Sequence, residues 1–292
     1  MKFLKNAILF LLIAIIPLMT SCAPNDFLTY ARTDKVGIDS KVLDMMLEVE
    51  IHLPPGYDSN EPIPALYLLH DYAADESSIG HAGFFRMADI LVEQGLIAPM
   101  VIVVPQINNS YLLNSSEETV IYGDDGITGL YSGMFEDYFI NEVIEYIEST
   151  YNVSTSPDNR YLGGISTGGF SALRMAFSHP DMFSKVGAHM PAMVVPEMTM
   201  TGEQFMDWYY PDEAAAKERN PIELASAGVP DGLSIFLDCG DEDVYSKPFA
   251  DGLADVLAGN NITFDYQIYT GTHNNEYLSE HITDYLMFYG GK

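Results

Sequence analysis

Runs of apolar residues and stretches of alternating polarity follow one another along this chain in a regular order. Val42 to Leu53 alternates apolar with polar positions and stops at Pro54-Pro55-Gly56, the pattern of a half-buried strand entering a turn. Ala65 to Leu69 and Met100 to Val104 are short and wholly apolar, as expected of central strands covered on both faces. Phe84 to Glu93, between them, has helical spacing. The alternation continues with a helix over Tyr138 to Tyr151, a strand over Arg160 to Ile165, a helix over Gly168 to Ser178 and a strand over Lys185 to His189. It ends with a strand over Leu233 to Asp238, a helix over Lys247 to Ala258, a strand over Thr263 to Tyr269 and a closing helix over His281 to Phe288. Such alternation predicts an α/β fold with a mostly parallel central sheet and helices on both faces, leaving room for antiparallel opening strands. The site belongs at the carboxyl ends of the strands.

One segment breaks the rhythm. Pro191 to Pro230 has no clear strand and is rich in Met193, Met198, Met200, Met206, Trp208, Tyr209 and Tyr210. Two readings stay open: a cap insertion (191–230) whose thioethers and rings face an acyl or aromatic group, Met193 and Trp208 touching substrate, or core residues beneath a long loop.

The first residues carry a different signal. Lys2 and Lys5 precede the apolar run Ala7 to Ile16, which is too short to span a membrane as a mature helix, and Leu18-Met19-Thr20-Ser21-Cys22 follows. This resembles a bacterial lipoprotein signal over residues 1–21, which implies cleavage before Cys22, lipidation of Cys22 and export to a membrane-anchored position, periplasmic or at the cell surface. Residues 22–40 then read as a tether and 41–292 as a single domain, long enough to bury a large core. With Cys22 lipidated, Cys239 is the remaining thiol, and no internal disulfide is expected.

Charge narrows the partners. Lys and Arg number 13 against 42 Asp and Glu, a net charge of −29, which argues against nucleic acid and against polyanionic substrates.

The chemistry concentrates at Gly164-Ile165-Ser166-Thr167-Gly168, a G-x-S-x-G string between a predicted strand and a predicted helix. Glycines two residues either side of the serine allow a turn tight enough to lift the hydroxyl above the sheet. A serine hydroxyl needs a base, and this motif predicts an acid and then a histidine downstream. Asp238-Cys239-Gly240-Asp241-Glu242-Asp243 and Gly271-Thr272-His273 each follow a predicted strand. His273 is the candidate base, and Asp243, three residues past Gly240, is favoured over Asp241 and Asp238 for orienting it. Seven histidines occur, and none falls into a zinc-site spacing, so no metal or other cofactor is expected. Two N–H donors are needed for an oxyanion: Thr167 supplies one, and the turn Leu69-His70-Asp71-Tyr72 the other, through the Tyr72 backbone.

Leu53-Pro54-Pro55-Gly56-Tyr57, Tyr67-Leu68-Leu69-His70, the nucleophile segment through His179-Pro180-Asp181-Met182-Phe183, Asp238-Cys239-Gly240 with Asp243, and Gly271-Thr272-His273 together resemble the esterase family of α/β-hydrolases that includes enterochelin esterases, S-formylglutathione hydrolases, feruloyl and acetylxylan esterases and mycolyltransferases. The resemblance implies the α/β-hydrolase fold, Ser166 as nucleophile, Asp243 as acid, His273 as base, and a small-molecule or carbohydrate ester as substrate. Two positions depart from the family. Asp71 stands where the family has glycine, next to the oxyanion turn and within reach of substrate, and Tyr277 stands where it has tryptophan. Alternatives of other kinds are acyl transfer to a sugar or lipid acceptor, and a catalytically silent binding lipoprotein in which Asp71 spoils the oxyanion site.

Overall fold

The computed structural model describes residues 30–57, 61–115, 129–195, 198 and 202–291. The signal segment 1–21, Cys22 and the first part of the tether lie outside the described residues.

Eight strands form one sheet: β1 (Arg32–Ser40), β2 (Met45–Leu53), β3 (Ala65–Leu69), β4 (Val101–Pro105), β5 (Arg160–Ile165), β6 (Lys185–His189), β7 (Ser234–Gly240) and β8 (Asp265–Tyr269). Their spatial order is β1-β2-β4-β3-β5-β6-β7-β8. β1 and β2 pair antiparallel, as do β2 and β4, and every later pairing is parallel. Every residue of β3, β4 and β5 is buried, which is why their sequences show no alternation.

Within these strands alternate side chains still go to opposite faces. Tyr67, Leu69, Val101, Val103 and Leu162 join the core that includes Ala172 and Met175 of the helix Thr167–Ser178 and Leu253 of the helix Lys247–Gly259. Leu66, Leu68, Ile102 and Val104 join the second core, with Phe84 of the helix Phe84–Glu93 and Tyr285 of the helix Asn275–Gly290. The sheet is therefore covered on both faces, and the loops at the carboxyl ends of β3, β5, β7 and β8 gather at one edge.

Several boundaries differ from the sequence reading. Residues 32–40, read as part of a tether, form strand β1, because Val36 and Ile38 alternate with polar residues that an edge strand leaves in solvent. β2 starts at Met45, after a turn over 41–44. The helix expected over Tyr138 to Tyr151 begins as Phe135–Asp137, passes through a π-helical turn at Tyr138–Val143, and continues as Ile144–Thr150. The closing helix starts at Asn275 rather than His281, since the Asn274 side chain caps it by accepting the N–H of Tyr277 at 2.9 Å.

The 191–230 segment contains three short helices, Gly202–Tyr209, Glu213–Arg219 and Pro221–Ala227. Its aromatic residues turn inward: the Tyr111 ring meets Phe205, Trp208 and Tyr209 at centroid distances of 5.3, 6.1 and 5.5 Å. Phe170, in the first turn of the helix after Ser166, packs on Tyr209 at 5.7 Å. Of the two open readings, the packed one describes these rings.

Candidate active site

Strand β5 delivers Ser166 into a turn whose geometry the flanking glycines make accessible. Ser166 has φ 55° and ψ −118°, a region that L residues rarely occupy. A Cβ on Gly164 would lie 2.2 Å from the Gly168 carbonyl group, and one on Gly168 would lie 2.4 Å from the Leu69 carbonyl oxygen, so neither position accepts a side chain without moving backbone. The Ser166 N–H donates to the His189 carbonyl at 2.8 Å, tying the turn to the end of β6.

The strained turn brings the hydroxyl to the His273 imidazole. Ser166 Oγ lies 2.8 Å from His273 Nε2, and His273 Nδ1 lies 2.9 Å from Asp243 Oδ2. With Nδ1 protonated toward the carboxylate, Nε2 is left to accept the serine proton. Asp243 is held in turn by the N–H groups of Tyr245 at 3.0 Å and Ser246 at 2.9 Å, both on Oδ1. Burial alone would raise its pKa, but the His273 imidazole and the Ser246 N–H more than offset that and hold the carboxyl below its ordinary value.

The three nearby acids have separate tasks. Asp241 Oδ1 accepts the Gly271 N–H at 2.9 Å and so stitches the β7 loop to the β8 loop. Asp238 is fully buried and accepts from His189 Nδ1 at 3.0 Å and from the hydroxyls of Tyr277 and Tyr285, each at 2.8 Å. The tyrosine that replaces the family's tryptophan thus donates to a carboxylate beneath the site.

Ser246 carries no motif of its own in the sequence. Its Oγ lies 2.9 Å from His273 Nδ1, the same nitrogen that Asp243 meets, and donates to the Met190 carbonyl at 2.7 Å. The only sequence signal for it is its spacing of three from Asp243, which lets one carboxylate oxygen cap its N–H.

A cavity of about 300 Å³ opens over Ser166 and His273, lined also by Asp71, Tyr72, Met190, Val195, Asn274 and Asn275. Tyr72 lies where the sequence calls for an oxyanion donor. Thr167 opens the helix Thr167–Ser178, and its N–H has no carbonyl four residues earlier within that helix. His70 fixes the intervening turn by donating from Nδ1 to the Asp71 carbonyl at 2.8 Å. Of the three residues expected to touch substrate, Asp71 lines the cavity and the other two do not. Trp208 is turned away, with its Nε1–H donating to Ser132 Oγ at 3.2 Å, and Met193 offers its carbonyl to the Tyr111 hydroxyl at 2.8 Å. Both serve the aromatic cluster under the 191–230 segment, and Met190 and Val195 supply the apolar wall instead. Among the described residues no group of acids, histidines or cysteines is arranged to hold a metal ion.

The family model described as "Putative esterase" matches residues 40–289. The chain belongs to this esterase family. Among relatives, an acetyl esterase of Caldicellulosiruptor saccharolyticus is 23% identical over 150 residues, 51% of this chain and 49% of that protein. An endo-1,4-beta-xylanase/feruloyl esterase of Xylanibacter ruminicola is 25% identical over 179 residues, 58% of this chain and 23% of that protein. The chain therefore spans about half or less of the length of these curated relatives. Among solved structures, a ferulic acid esterase superposes with a TM-score of 0.73 at 22% identity, covering 89% of this chain and 98% of that one. An S-formylglutathione hydrolase from Agrobacterium tumefaciens gives 0.70 at 18% identity over 89% and 94%. These likenesses place the esterase-family chain in the α/β-hydrolase fold.

Proposed function

We propose that this chain is a serine carboxylic-ester hydrolase acting on acetyl or feruloyl esters carried by carbohydrate. The observation that carries the reading is the continuous relay from Ser166 Oγ through His273 to Asp243, with contacts of 2.8 and 2.9 Å. Ser166 Oγ attacks the ester carbonyl as its proton passes to His273 Nε2, and the oxyanion is met by the N–H groups of Thr167 and Tyr72. His273 returns the proton to the leaving alkoxide, freeing the alcohol and an acyl-Ser166. Water, deprotonated by the same nitrogen, then attacks the acyl-enzyme to release the acid and regenerate Ser166. No step calls for a cofactor.

The carbohydrate part of the reading rests on the printed activities of the acetyl esterase and xylanase/feruloyl esterase relatives. Lipidation of Cys22 belongs to the same proposal, since it would hold the site at a membrane surface facing exported material.

Purified full-length chain tested against p-nitrophenyl acetate, p-nitrophenyl butyrate and methyl ferulate should hydrolyse at least one of them, and a fluorophosphonate should label Ser166. Ser166→Ala should lose both. Absence of hydrolysis and of labelling in the unaltered chain would sink the proposal.

A further inference from the structure

Away from the triad, a cavity of about 520 Å³ lies where the 191–230 segment meets the helix Thr167–Ser178, and it shares no lining residue with the cavity over Ser166. Arg174 and His179 reach it from that helix and its end, Glu136 from the short helix Phe135–Asp137, and Arg219 and Leu224 from the segment. We propose that this cavity is a second ligand site and that its ligand is a small organic monocarboxylate. The proposal is independent of the esterase reading, because none of these residues belongs to the relay from Ser166 to Asp243.

Charge selects an anion. In a chain with 42 Asp and Glu against 13 Lys and Arg, two guanidiniums on one cavity are a local concentration of positive charge. Arg174, whose side chain is 5% exposed, donates from Nη1 to Glu136 Oε2 at 2.7 Å and from Nη2 to the Leu112 carbonyl at 2.6 Å, while its Nε–H has no acceptor among the described residues. A buried donor without an acceptor is rare and marks a place where bonding is incomplete. Arg219, half-buried, donates from Nη1 to the Tyr209 carbonyl at 2.9 Å and meets no carboxylate among the described residues.

The acids on the cavity limit the ligand's charge. Both Glu136 oxygens are engaged, Oε1 by the His179 ring and Oε2 by Arg174, and Glu218 is exposed, where water and salt screen it. One guanidinium charge, that of Arg219, is thus left for a ligand. A monocarboxylate matches it through the remaining N–H groups of the planar fork, whereas a phosphate dianion brings a surplus negative charge beside Glu136. Leu113, Phe177 and Leu224 offer an apolar wall to the body of an organic acid, which an inorganic anion does not use.

Arg174 lies eight residues beyond Ser166, about 12 Å along the helix axis. A carboxylate held by Arg219 beside Arg174 joins this helix to the 191–230 segment, and a ligand bound only by the folded chain stabilises it by mass action.

Isothermal titration calorimetry of the full-length chain at one fixed ionic strength, with sodium acetate, sodium benzoate, acetamide, benzamide and inorganic phosphate, tests the proposal. At least one carboxylate should bind, its amide about tenfold or more weaker, and phosphate no tighter than the carboxylate. Arg174→Gln would unsettle the buried pair with Glu136, so two half-buried positions carry the test: Arg219→Gln removes the unpaired charge, and Leu224→Trp fills the cavity. Each should weaken the carboxylate about tenfold or more, with melting temperatures measured without ligand to show that the variants fold. Failure of both carboxylates to bind the unaltered chain, equal binding of acid and amide, tighter binding of phosphate, or full carboxylate binding by either folded variant would each overturn the proposal.

Discussion

Asp238 accepts the Nδ1–H of His189 at 3.0 Å in a place that solvent does not reach, directly under the turn that carries Ser166. The His189 carbonyl takes the Ser166 N–H, and the other Asp238 oxygen takes the hydroxyls of Tyr277 and Tyr285. One carboxylate thus joins the end of β6, the end of β7 and the helix that follows His273. Removing it leaves an imidazole and two phenols buried without their acceptor. Asp238→Ala should therefore lower unfolding free energy by about 3–5 kcal/mol, read from the midpoint and slope of a urea transition.

Asp243→Ala should separate cleanly from that variant. Here the lost carboxylate orients His273 rather than cementing three elements, so kcat should fall by about 10³–10⁴ with a much smaller change in the urea midpoint. Asp241→Ala, which loses the bond to the Gly271 N–H, should keep kcat within about tenfold. A larger loss at Asp241 than at Asp243 would contradict the assignment of the acid.

These acids show where the sequence was readable. Strand β5, Ser166 and the helix behind it followed from buried runs flanking a glycine-framed serine, because each of those features is local. The separation of tasks among Asp238, Asp241 and Asp243 depends on loop position as well, and Asp243 is favoured by its reach beyond Gly240. Ser246, Met190 and Val195 left no such mark, since a serine or an apolar residue becomes part of a site only through the chain that returns to it. Strand β1 is hard to read because its polar positions face solvent at a sheet edge, where alternation is shallow. The methionines and rings of 191–230 were equally consistent with lining or core, and only packing against Tyr111 and Phe170 decides.

The glycine frame makes its own prediction. A methyl group at Gly168 would collide with the Leu69 and His70 carbonyl oxygens at 2.4 and 2.5 Å, which belong to the strand and turn bearing Tyr72. Gly168→Ala should thus displace the nucleophile turn from the oxyanion turn. We expect kcat/KM on p-nitrophenyl acetate to fall by about 10² or more while KM changes little, since a donor moved from the oxyanion costs that much. A variant with unaltered kcat/KM would show that the turn relaxes freely.

Acid sensitivity should arise at a distance from the triad. Burial alone would raise the pKa of Glu136, but the His179 imidazole at 3.0 Å and the Arg174 guanidinium at 2.7 Å outweigh that and hold it at about 2 against an ordinary 4.5. A carboxylate depressed on folding stabilises above its unfolded pKa, and that contribution is lost as pH falls through the folded value. Stability should therefore decline between about pH 4.5 and 2 by on the order of 2 kcal/mol from this group. Urea transitions at pH 6 and pH 3 measure the decline, and Glu136→Gln should reduce the difference between them.

The last expectation concerns Cys22, the residue that follows Leu18-Met19-Thr20-Ser21. Acyl chains contribute about 0.8 kcal/mol for each buried methylene, so a lipidated Cys22 would keep the chain with membranes through high-salt and alkaline washes that strip proteins held by charge. Charge in any case favours release, because a chain of net −29 is repelled by anionic lipid. Cys22→Ser should prevent incorporation of radiolabelled palmitate and shift the chain from the detergent phase to the aqueous phase on partitioning, with kcat/KM on p-nitrophenyl acetate unchanged. Equal palmitate labelling and equal partitioning of the two forms would exclude Cys22 as the anchor and leave the apolar run Ala7 to Ile16 as an ordinary export signal.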